Sequence, residues 1–82
     1  MNEFGEVIVA CEIITTSDGR HQGVLAIYRK IAPADHPCPY GAIVYYETLA
    51  IRDTRDYPDL ETLRYGPHSL MLAELVQRWH RA

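Results

Sequence analysis

The stretch V-I-V-A-C-E-I-I-T-T (Val7 to Thr16), followed by S-D-G-R (Ser17 to Arg20) and then V-L-A-I-Y-R-K-I (Val24 to Ile31), decides the fold. Its two apolar runs are dense in β-branched residues, which suit a pleated, half-buried surface. Asp18-Gly19 tolerates positive φ, and flanked by apolar runs it marks a hairpin. Two antiparallel strands joined by a tight turn are expected here.

Downstream, A-P-A-D-H-P-C-P-Y-G (Ala32 to Gly41) contains Pro33, Pro37 and Pro39. Each removes a backbone donor, so the segment is expected as an extended loop and not a central strand. A-I-V-Y-Y-E-T-L-A-I (Ala42 to Ile51) reads as a third strand. Arg52 to Gly66 is a polar connector, long for a structureless loop. Pro58, Leu60 and Leu63 predict a short turn of helix near residues 58–63.

Gly66-Pro67-His68-Ser69 opens a final helix, with Pro67 or Ser69 suited to its first turn or cap. Leu72, Leu75, Val76 and Trp79 fall at i, i+3, i+4 and i+7, and Met71 joins them. That is one apolar stripe, with Glu74, Gln77, Arg78 and Arg81 on the other side. Trp79 is expected in the core with the rest of the stripe. Arg78, His80 and Arg81 place positive charge at the last turn, where the helix dipole favours it.

The order is β-β-β-α. The expected fold class is α+β: a three-stranded antiparallel sheet with one C-terminal amphipathic helix packed on one face. One domain spans residues 1–82. One helix covers one face of such a sheet, and alternation should leave the other polar. These strands are apolar on both sides. Leu25 and Ile27 oppose Val24, Ala26 and Tyr28. Ile43, Tyr45, Leu49 and Ile51 oppose Val44, Tyr46 and Ala50. Val7, Val9, Cys11 and Ile13 oppose Ile8, Ala10 and Ile14. A second apolar face implies further burial against a partner.

Bulk properties narrow the function classes. A chain of 82 residues buries only about two-thirds of its unfolded surface, so its stability is marginal without a disulfide, a metal or a partner. The hydrophobic share of 48% argues against disorder. Net charge is −3 and the eight basic residues are scattered, which disfavours nucleic acid and an anionic membrane. The N-terminal Met1-Asn2-Glu3-Phe4-Gly5-Glu6 lacks the positive segment and apolar core of a signal peptide. No apolar run approaches a membrane span. A cytoplasmic setting is expected, with Cys11 and Cys38 reduced.

Three groups of residues could carry chemistry. His36 and Cys38 flank Pro37 and could approach one another in an extended loop, as a nucleophile and its base would. Pro37 and Pro39 lack the backbone donors that an oxyanion needs, so a rigid loop is the preferred reading. Cys11, His21, His36 and Cys38 are zinc-ligand types, but no pair has the spacing of a structural site, and no metal or other cofactor is expected. Asp53, Asp56, Asp59 and Glu61, interleaved with Arg52 and Arg55, read as a solvated loop whose charges pair among themselves.

The tyrosines are more informative. A tyrosine ring can bury against apolar surface while its hydroxyl stays wet, which suits interfaces. Tyr45 and Tyr46 are adjacent on a strand and point to opposite faces. Tyr28, Tyr45, Tyr46, Val44 and Ile43 are the candidate interaction surface, and His36, Cys38 and Tyr40 a possible loop site. The expected function is a small, non-enzymatic protein–protein interaction module, an accessory or inhibitor protein of bacterial or phage type, acting as a homodimer or on another protein. The alternatives are a small-ligand or enzymatic protein with its site near the His36–Cys38 loop, and a nucleic-acid-binding module.

Overall fold

A computed structural model describes residues 5–31 and 37–81. Four strands form one antiparallel sheet in the order β1 (Glu6–Thr15), β2 (Gln22–Lys30), β3 (Tyr40–Tyr46) and β4 (Leu49–Arg52). Two helices follow, α1 (Leu60–Arg64) and α2 (His68–Arg81). The α+β class and the C-terminal helix agree with the sequence reading, but the sheet has four strands where three were expected.

The extra strand arises at Glu47 and Thr48. Ala42 to Ile51 does not run as one strand, because the chain folds back and pairs Tyr46 with Leu49 and Val44 with Ile51. Glu47 takes the left-handed conformation that the turn requires, with φ of 53°. Glycine or asparagine usually fills such a position, so Y-E-T-L carries no turn signal. The fold-back changes which residues share a face. Leu49 and Ile51 join Val44 and Tyr46, whereas a continuous strand would have placed them with Ile43 and Tyr45.

A second correction falls in β1. Its pairing with β2 shifts between Ile8 and Ala10, leaving Val9 as a bulge. One extra residue reverses the alternation. Ile8, Cys11 and Ile13 therefore share one face, and Val7, Ala10, Glu12 and Ile14 the other.

The helix-side face forms the core. Leu25, Ile27, Ala42 and Val44 from the sheet pack with Leu63 of α1 and Leu72, Leu75 and Val76 of α2. The apolar stripe of α2 is buried at these three positions, but Trp79 stays 38% exposed at its margin, outside the expected core. Asp59 caps α1, its Oδ1 accepting from the Thr62 amide at 2.7 Å. The connector leans on the sheet, with Tyr40 and Tyr57 exchanging two backbone hydrogen bonds of 3.1 and 2.8 Å.

One end of the second face is closed from within the chain. Tyr28 is only 3% exposed. Its ring lies on Gly41, in the space a side chain there would fill. The Arg52 guanidinium stacks over the ring, 4.7 Å from its centroid, and reaches Glu6 at 3.4 Å. Replacing Gly41 by alanine must lift the Tyr28 ring, and should cost about 2 kcal/mol in urea unfolding. The cost should shrink when Tyr28→Leu first withdraws the ring. A Gly41→Ala protein with an unchanged midpoint would contradict this packing.

Candidate functional site: an open sheet face and a buried polar junction

Strand pairing arranges the rest of the second face in two cross-strand rows. Cys11, Ala26, Ile43 and Arg52 form one. Ile13, Val24, Tyr45 and Ala50 form the next. In the second row Ile13 is 74% exposed, and Val24 and Tyr45 each 41%. Arg52, at the β4 end of the first row, leans back over Tyr28. The remaining seven side chains of both rows are uncharged, so this half of the face is apolar and open to solvent. A shallow depression of about 290 Å³ borders the second row, lined by Ile13, Val24, Tyr45, Gln22 and Glu47.

The structure divides the residues singled out from sequence. Tyr45 and Ile43 lie on the open half, and Tyr28 on the same face but sealed under Arg52. Val44 and Tyr46 are buried on the helix side of the sheet, and Tyr46 also lines the depression beside Tyr45. The Tyr46 hydroxyl instead lies 3.4 Å from His21 Nδ1. Of the loop candidates, Cys38 and Tyr40 are half-buried at the start of β3, and His36 lies outside the described residues. Cys11 is exposed, on the open face. Among the described residues no disulfide forms, and no three metal-ligand side chains gather.

A second feature was hidden in the sequence. Asp53, assigned above to a solvated loop, is buried with Tyr57 and His68. Its amide donates to the Ala42 carbonyl at 2.9 Å, which fixes it to the sheet beyond β4. Its Oδ1 accepts from the Arg55 amide at 3.0 Å, and its Oδ2 accepts from the Tyr57 hydroxyl. His68, opening α2, brings Nε2 to 3.2 Å from the same Oδ2. That nitrogen lies off the line a hydrogen bond needs and has no aligned partner among the described residues.

Burial, then the hydrogen bond to Asp53 and its charge, pushes the Tyr57 hydroxyl up to about 12. Burial holds the His68 imidazole below its ordinary value, against the opposing pull of the Asp53 carboxylate. The desolvation is the larger effect, so His68 is neutral at pH 7. The junction joins the end of β4, the connector and the start of α2 through one carboxylate. Its neighbours on the sequence do other work: Asp56 pairs with Lys30 at 2.8 Å and Asp59 caps α1. Nothing in the spacing of Asp53, Tyr57 and His68 distinguishes them from surface residues, since only the packing of the connector under α2 unites them.

Compared with known protein families, characterised proteins and solved structures, the chain matches none. No helix among the described residues is long and apolar enough to cross a membrane.

The lowered His68 value has a definite sign for stability. About a pH unit or more above the ordinary imidazole value of about 6.5, the ring is neutral folded and unfolded, and its contribution is complete. Below that, the unfolded chain takes up a proton that folded His68 resists, so stability falls as pH drops. Asp18 and Asp59, whose carboxyls are held below their ordinary range by hydrogen bonds, titrate lower still. Urea midpoints should therefore decline from pH 7 to pH 5 in the parent protein and decline less in His68→Gln. Parallel pH profiles for the two proteins would exclude His68 as the source.

Proposed function

We propose that this protein is a small, non-enzymatic protein–protein interaction module of accessory or inhibitor type, working in the cytoplasm through the open half of its second sheet face. The observation that carries the reading is the row Ile13–Val24–Tyr45–Ala50, in which three large side chains, Ile13, Val24 and Tyr45, stand in solvent with no charge among them. Soluble monomers seldom leave such a contiguous patch uncovered. Tyr45 suits an interface, because its ring can bury while its hydroxyl meets water at the rim. The helix-side face is filled by the chain itself, and the Asp53–Tyr57–His68 junction is buried. Both features leave the open face as the working surface.

A second reading draws on the depression beside Tyr45. There Gln22 and Glu47 offer polar groups next to an apolar wall, as a small-ligand site would. Its shallowness favours a partner's side chain over an enclosed ligand.

An environment-sensitive apolar dye tests the open face. The parent protein should either bind the dye as a monomer or exclude it as a larger particle, its mass read by light scattering. Ile13→Lys, at a position exposed enough to keep the far-UV circular dichroism unchanged, should bind less dye than a parent monomer. A parent monomer that excludes the dye would show that the face is closed, and would overturn the reading.

A further inference from the structure

We propose that His21 and His80 together hold one divalent ion of the zinc, nickel or copper(II) type, and that the ion clamps the first hairpin to the end of α2. This site is independent of the open sheet face.

The two imidazoles come from elements far apart in sequence. His21 closes the first hairpin just before β2, and His80 lies in the last turn of α2. Their ring centres stand 5.6 Å apart, with 61° between the planes. Imidazole nitrogens bind such ions at about 2.1 Å, so two rings sharing one ion place their centres roughly 5 to 5.5 Å apart. The pair already stands close to that separation. Rotation about each metal–nitrogen bond leaves the angle between the planes free.

Both rings sit on fixed backbone. The Thr16 amide donates to the His21 carbonyl at 2.9 Å, and the His21 amide donates to Thr16 Oγ1 at 3.2 Å. The hydroxyl of buried Tyr46 lies 3.4 Å from His21 Nδ1. With that hydroxyl accepting from Nδ1–H, the lone pair sits on Nε2. A ligating histidine usually has such a partner on its other nitrogen, which fixes the tautomer and the ring direction. His80 follows Val76 by one turn, and Leu72, Leu75 and Val76 anchor the helix in the core. His80 itself is exposed, so its ring can turn towards a shared ion without disturbing that packing.

The surroundings select the kind of ion. Arg20 and Arg81 adjoin the pair in sequence, which disfavours a hard cation attracted by charge and oxygen ligands. Imidazole nitrogens suit zinc, nickel and copper(II). The carbonyl end of α2 lies at the same place, and the helix dipole favours positive charge there. Among the described residues no third histidine, cysteine or carboxylate joins the pair. Water completes the coordination, so the ion is exchangeable, unlike a structural zinc closed by four protein ligands.

The consequence is mechanical. In the unfolded chain the two residues are far apart, and an ion gains its second ligand only when hairpin and helix are both in place. Its binding free energy then adds to folding. A domain of this size draws proportionately more from such a clamp.

Zinc sulfate titrated into the metal-free full chain, with imidazole C–H signals followed by NMR, tests the site. The His21 and His80 signals should shift together and saturate at one ion per chain, while those of buried His68 stay in place. Saturating zinc should raise the urea midpoint of the parent. His80→Gln, at an exposed position, should weaken zinc binding about tenfold or more and abolish the gain in midpoint. His21→Gln should do the same, with far-UV circular dichroism checking its fold. Cys11→Ser should bind zinc as the parent does. Unchanged affinity in His80→Gln would overturn the proposal, and so would binding lost in Cys11→Ser, which would assign the ion to a thiol. Signals that stay still up to about 1 mM zinc would overturn it as well. Saturation without any gain in midpoint would overturn the clamp.

Discussion

One helix can cover one face of a sheet, and the pleat decides which side chains lie on that face. The rest of this structure depends on that constraint. Successive residues of a strand point to opposite sides, so inserting or removing one residue exchanges the two sets. The chain interrupts its alternation twice, at the Val9 bulge and at the Glu47–Thr48 turn. The turn brings Leu49 and Ile51 under α2, where they add to the core. The bulge sends Ile8, Cys11 and Ile13 to the uncovered side. The two interruptions therefore set both how much core the domain has and how much apolar surface it leaves outside.

The uncovered side is not uniform. At one end Arg52 spans the sheet to stack on Tyr28 and meet Glu6, closing the face with the chain's own side chains. At the other end no cation stacks on a ring across the rows among the described residues. A cation over a ring, with its aliphatic stem along the sheet, shields apolar surface from water at little desolvation cost. The rows of Ile13 and Ala26 lack such a cover. That contrast within one face leaves its other half apolar and exposed.

The far side of the molecule is held by a buried carboxylate. Asp53 takes hydrogen bonds from Tyr57 and from the Arg55 amide, and it faces His68 at the start of α2. A carboxylate in that setting must be satisfied locally, so it orders the connector and fixes where the helix begins. With the connector pinned, α1 places Leu63 in the core and α2 presents Leu72, Leu75 and Val76 to the sheet. Trp79, in the last turn of α2, stays 38% exposed at the margin of that core.

Local patterns determined much of this in advance. The β-branched runs, Asp18-Gly19, the proline-rich loop and the i, i+3, i+4 stripe of α2 yield the α+β class, the first hairpin and the helix, because propensity and periodicity act over a few residues. The presence of more apolar strand residues than one helix can cover was also legible, since it needs only a count of faces. What the tertiary structure alone decided is parity and proximity. A glutamate in a left-handed turn and a one-residue bulge leave no local signature, yet they reassigned Leu49, Ile51, Cys11 and Ile13 between faces. Asp53, Tyr57 and His68 look like surface residues until the connector folds beneath α2, because burial is a property of what packs around a side chain and not of the side chain itself.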